Sequence, residues 1–134
     1  LLVSSAASDV YKRQGTDIVD VERIRKLGSL EKFADKILSL NELEVFKSQI
    51  DEKKVTFLAK QFAAKEAVSK ALGTGIGKDI RFNQIEILRN SDGKPYLNHD
   101  GMITTIFNDL GITKTHVSLS DEKKYVLAFV VLEI

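Results

Sequence analysis

Glu66 and Lys70 stand one helical turn apart in Phe57-Leu58-Ala59-Lys60-Gln61-Phe62-Ala63-Ala64-Lys65-Glu66-Ala67-Val68-Ser69-Lys70-Ala71-Leu72, a segment rich in apolar and small residues. On a 3.6-residue wheel Glu66 falls within the stripe made by Val55, Leu58, Ala59, Phe62 and Ala63. A carboxylate on an apolar face raises its pKa, finds a cationic partner or binds a metal. Lys70, at i+4, offers the plain structural answer, an internal ion pair with Glu66. Gly73-Thr74-Gly75-Ile76-Gly77 follows the helix. Glycines there admit a ligand close to the backbone and expose N–H donors, although a glycine after a helix is commonly just its C-cap. The loop closes a helix instead of opening one, which excludes a Walker A or dinucleotide-binding loop.

Two further segments frame this one: Gly15-Thr16-Asp17-Ile18-Val19-Asp20 near the start, and His116-Val117-Ser118-Leu119-Ser120 near the end. In this order and spacing the three segments resemble the holo-acyl-carrier-protein synthases, the bacterial 4'-phosphopantetheinyl transferases. The resemblance runs from about Gly15 to Glu133. It implies an α+β fold with a mostly antiparallel sheet packed with helices around one long central helix. It also implies that Asp17 and Glu66 hold Mg2+, a hard cation that keeps waters and shares substrate phosphates. Read alone, Asp17 is better explained as a strand-end or helix-capping residue.

The implied reaction carries 4'-phosphopantetheine from coenzyme A to a serine of an acyl carrier protein and releases 3',5'-ADP. Lys70 then neutralises phosphate charge or assists proton transfer, beside Asp17 and Glu66 as the catalytic group. Gly73, Thr74, Gly75, Gly77, His116 and Ser118 match positions that contact the coenzyme. Arg23, Lys26, Lys32, Phe33 and Lys36 match, wholly or by charge, the surface that grips the acidic helix of the carrier. The resemblance further implies a homotrimer with active sites between subunits, a cytoplasmic setting and a place in fatty acid biosynthesis. Two positions depart from the pattern: Gln61 stands where arginine is common, and Asp121 where a second histidine is common. Both bear on coenzyme affinity, and a coenzyme-binding module without transferase activity is the alternative reading. Lys65 points elsewhere on the wheel and reads as a solvated or interface lysine.

Elements that position these residues are legible along the chain. Thr16–Val21 reads as the end of a strand. Leu30, Phe33, Ala34, Ile37 and Leu38 recur at helical spacing, and Ser39 with Glu42 forms a capping-box pattern before a helix over about Leu40–Ser48. The main helix is expected over Glu52–Leu72, apolar on two sides and therefore central. A strand over about Ile80–Leu88, a turn at Asn90–Gly93 and a return strand from Pro95 follow. Met102 to Leu110 reads as a helix stopped by Gly111, and Thr115–Ser120 with Tyr125–Leu132 as a hairpin.

The bulk numbers set outer limits. A chain of 134 residues with 43% hydrophobic and 29% charged residues suits one globular domain. There is no cysteine, so neither a disulfide scaffold nor thiol chemistry is available. A net charge of +1 argues against a general nucleic-acid binder, and no apolar run has membrane-spanning length. Residues 1–14 read as a non-native leader before a domain over 15–134. Tyr11, Lys12, Arg13 and Gln14 occupy the place of a short apolar strand; Val10 and Tyr11 can supply some strand, but Arg13 and Gln14 are poor substitutes at inward positions, which leaves the first strand open.

Overall fold

The computed structural model describes residues 12–73 and 80–134. In chain order the elements are β1 (Lys12–Asp20), α1 (Val21–Arg25), α2 (Leu30–Ile37), α3 (Leu40–Ser48), α4 (Glu52–Leu72), a 3-10 turn (Phe82–Gln84), β2 (Glu86–Arg89), β3 (Pro95–Asn98), α5 (Ile103–Leu110), β4 (Lys114–Asp121) and β5 (Tyr125–Glu133). The three short helices near the start are each opened by a polar side chain. Asp20 accepts from the Glu22 amide, Ser29 from the Lys32 amide, and Ser39 forms the expected capping box with Glu42.

Helix α4, 21 residues long, has the bounds the sequence predicts. Gly73 ends it in the left-handed conformation, its N–H shared between the carbonyls of Ser69 and Lys70. The helix lies against β1 and β5 of a three-stranded antiparallel sheet ordered β1-β5-β4. A separate antiparallel hairpin pairs β2 with β3, and β3 touches β4. Alternation in β5 sends Val126, Ala128, Val130 and Leu132 into the core beneath α4.

From Lys12 onward the first strand forms despite the residues that put it in question; Tyr11 lies outside the described residues. Lys12, Arg13 and Gln14 pair with Glu133, Leu132 and Val131, in register with the rest of β1. Arg13 is accommodated because its guanidinium donates to the Leu72 carbonyl at 3.0 Å, one of the orphan acceptors at the end of α4. The strand expected over Ile80–Leu88 is shorter. Its first half bends into the 3-10 turn, which brings Phe82 beside Phe62, ring centroids 5.6 Å apart.

Candidate active site

Along β1, Gly15 and Val19 are buried and Asp17 half-buried, whereas Thr16 and Ile18 are exposed, so Asp17 points towards α4. There its Oδ1 lies 3.0 Å from the Lys70 ammonium, which also donates to the Thr16 carbonyl at 3.0 Å. Asp17 keeps 15% of its side chain exposed and Lys70 54%, so the pair sits at a rim open to solvent. Lys70 therefore reaches across to β1; the expected i+4 pairing with Glu66 is not the contact it makes.

Glu66 is half-buried on the same rim and not at the centre of the buried stripe. Burial pushes its pKa up, the Asp17 charge pushes it further, and Lys70 and Arg23 pull part of the way back. Two partly buried carboxylates, with the Asp17 charge adding to the cost of charging Glu66, form a site that a cation relieves. The donors are hard oxygens, as Mg2+ requires, and among the described residues no third His, Asp or Glu completes a protein cage. Such a pair leaves coordination positions for water and for substrate phosphates.

The other expected coenzyme contacts divide. Gly73 is the C-cap of α4 at the same end as Lys70. Thr74, Gly75 and Gly77 lie outside the described residues. Register places Gln14, Val131 and His116 in one row and Thr16, Phe129 and Ser118 in the next. Those rows face away from α4, so within one chain His116 and Ser118 occupy the opposite face of the sheet from Asp17. His116 is bonded there to Glu133, 2.7 Å away, and that bond chiefly holds the Glu133 carboxyl below its usual range.

Both departures from the family pattern have partners in this chain. Asp121 meets the Lys60 ammonium at 2.9 Å and lies with Lys53 and Arg89 on a cleft of about 500 Å3, so its charge is matched. Gln61 is buried and donates to Glu42 and to the Ile87 carbonyl. Lys65 corrects the sequence reading most strongly. It is fully buried, donates to Glu42 and to the carbonyls of Phe82 and Ile85, and is shifted down by burial against the opposing pull of Glu42. Its three donors are thus satisfied inside the core. The wheel showed Glu42 only as a capping residue, although it also joins α3, α4 and β2 through these bonds.

Of the basic cluster, Arg23, Lys26, Lys32 and Lys36 are exposed on or just after α1 and on α2. Phe33, matched to the carrier-gripping surface, is only half-exposed and packs edge-on to Phe62 at 5.4 Å. Arg23 stands over the Phe62 ring, 5.9 Å from its centroid, and also influences Glu66, so the cluster borders the carboxylate rim.

Residues 13–130 match the model of the 4'-phosphopantetheinyl transferase superfamily. The holo-[acyl-carrier-protein] synthase of Blochmanniella pennsylvanica is 47% identical over 89% of this chain and 95% of its own length. The crystal structure of the Neisseria meningitidis synthase superposes with a TM-score of 0.81 at 40% identity, covering 91% of this chain and 98% of that one. The Bacillus anthracis synthase, solved in complex with coenzyme A (3',5'-ADP), gives 0.77 at 40% identity over 90% and 95% of the two chains. With the α+β fold and the long central helix in common, the chain belongs to the 4'-phosphopantetheinyl transferase superfamily and, within it, to the holo-[acyl-carrier-protein] synthases.

Proposed function

We propose that this chain moves 4'-phosphopantetheine from coenzyme A to a serine of apo acyl carrier protein, with Mg2+ between Asp17 and Glu66, and releases 3',5'-ADP. The observation that carries the reading is the half-buried Asp17–Glu66 pair with Lys70 at its edge. In the reaction the serine Oγ forms a bond to the pantetheine-bearing phosphorus, the bridging P–O bond of the pyrophosphate breaks, and the hydroxyl proton leaves. Bound Mg2+ supplies charge neutralisation and polarisation of the phosphoryl oxygens. The chain's own residues align the reactants and hold charge. Asp17 and Glu66 would bind the ion; the Lys70 ammonium, already beside Asp17, meets phosphate charge and assists proton transfer as a donor, while the serine proton passes to solvent water.

Arg23, Lys26, Lys32 and Lys36, flanking Phe33, favour a fast and salt-sensitive encounter with an acidic carrier helix. The placement of His116 and Ser118 supports a homotrimer. Only a second copy brings them to the carboxylates of the first, and Ile18, Leu127 and Phe129 expose apolar surface on that outer face. A cytoplasmic role in fatty acid biosynthesis accords with a cysteine-free chain and a primary-metabolism carrier. No helix among the described residues is long and apolar enough to cross a membrane.

Incubation with apo acyl carrier protein, coenzyme A and Mg2+ tests the activity directly by intact mass. A phosphopantetheine-sized gain on the carrier, abolished by EDTA, is expected. An unmodified carrier, with the protein folded and coenzyme bound, overturns the proposal. Light scattering of the purified chain checks the trimer separately.

A further inference from the structure

We propose that Gly15 is a positioning residue: the missing Cβ sets the β1–α4 spacing at which Asp17 and Glu66 can share one cation. The inference rests on the metal reading above. A Cβ placed on Gly15 would stand 1.9 Å from the Ala67 carbonyl oxygen, 2.7 Å from the Ala71 nitrogen and 2.9 Å from the Ala67 carbonyl carbon. All three are backbone atoms of α4, so no side chain can rotate away. Gly15 is not among the glycines with positive φ, so the position demands space and not an unusual backbone conformation.

The helix matches the strand at this crossing. Ala63, Ala67 and Ala71 recur at every fourth position and are buried, which keeps the helix surface low where β1 crosses it. The functional side chains are the immediate neighbours of this contact. Glu66 precedes Ala67, Lys70 precedes Ala71, and Asp17 is the next residue after Gly15 on the inward face of β1.

Bringing the Gly15 Cβ to an ordinary 3.4 Å contact with the Ala67 oxygen requires a shift of about 1.5 Å from its 1.9 Å position. Asp17 has a single methylene and cannot follow such a shift. Mg2+ tolerates little departure from octahedral geometry, and misplacement of about 1 Å costs a reaction on the order of 100-fold. The close crossing thus fixes the separation of the two carboxylates as well as the packing of the strand.

The test uses the full chain and two readouts: Mn2+ binding followed by electron paramagnetic resonance without coenzyme or carrier, and Mg2+-supported transfer. Gly15→Ala is expected to weaken Mn2+ binding at least ~10-fold and to slow transfer about 100-fold, with the carrier KM unchanged. Gly28→Ala, at a glycine with nothing within 4 Å of an added Cβ, is expected to behave as wild type. Adding Asp17→Glu to Gly15→Ala lengthens the ligand across the widened crossing, and partial recovery of Mn2+ binding is expected. A purely structural role for Gly15 predicts no such recovery. Should Gly15→Ala fail to fold, Ala71→Val, which widens the same crossing from the helix side, is read in its place. Undiminished Mn2+ binding and transfer in the folded variant overturn the proposal and leave the metal reading standing. Absence of Mn2+ binding in the wild type overturns that reading itself.

Discussion

Asp17 and Lys70 are 53 residues apart in the chain, yet the Lys70 ammonium rests 3.0 Å from the Asp17 carboxylate. Lys70 is thereby held beside the proposed Mg2+ ligand Asp17 instead of folding back along its own helix. With over half of its side chain exposed, the pair adds little to stability, so the contact is better read as placement. Lys70→Ala should slow carrier modification roughly 100-fold or more while leaving the melting temperature nearly unchanged. Steady-state kinetics beside a thermal melt check both halves. An unfolded variant, or one with full activity, contradicts the assignment.

Lys65 behaves in the opposite way. With both side chains wholly buried, removing the lysine strands the Glu42 charge in the core. Lys65→Met should cost about 3–5 kcal/mol, and the double variant Glu42→Gln, Lys65→Met should recover much of it. Denaturant titration of the three variants gives the coupling. An additive result would show that the two groups do not depend on each other.

Glu66 yields a pH prediction. Burial first, then Asp17, raises its pKa above the ordinary 4.5, so between 4.5 and the raised value the folded, metal-free chain holds a proton that the unfolded chain has released. This contribution to stability is present at low pH and is lost as pH climbs through that window. Glu66→Gln should therefore raise the metal-free melting temperature at neutral pH by roughly 1–2 °C, discounted for partial exposure. The same variant should lose the rise that Mg2+ gives the wild type. Melts from pH 4 to 8, with Mg2+ and with EDTA, check both effects.

What the sequence made legible was mostly local. The bounds of α4, the Ser39–Glu42 capping box and the Gly111 stop depend on neighbours within a turn, and all three appear as expected. Lys65 was misread because its partner Glu42 lies 23 residues away, and only packing of α3 and the 3-10 turn buries it. The alternation of buried Val117 between exposed His116 and Ser118 was visible as a strand pattern. What periodicity lacks is sheet order, which decides that these side chains and Asp17 face opposite ways. Gly15 was visible only as part of a motif; its space requirement comes from α4, more than fifty residues on.

Asp51 offers a stability change remote from the chemistry. It is the one described non-glycine residue with positive φ, at φ 50° and ψ −122°, and its side chain makes no capping bond to α4. Such backbone strain costs on the order of 1–3 kcal/mol in a residue with a Cβ. Asp51→Gly should raise stability by about 1 kcal/mol, part of the gain being offset by the entropy of the unfolded glycine. Chemical denaturation measures it, and a destabilised variant would contradict the account.

The most direct test of the central claim is a Mg2+ titration of carrier modification, followed by intact mass, for wild type, Asp17→Asn and Glu66→Gln. The two carboxylates acting as one Mg2+ site predict that each variant stays folded, binds the carrier and shows almost no mass gain at any Mg2+ concentration that saturates the wild type. Transfer at wild-type rate and wild-type Mg2+ dependence in either variant would show that the cation is held elsewhere.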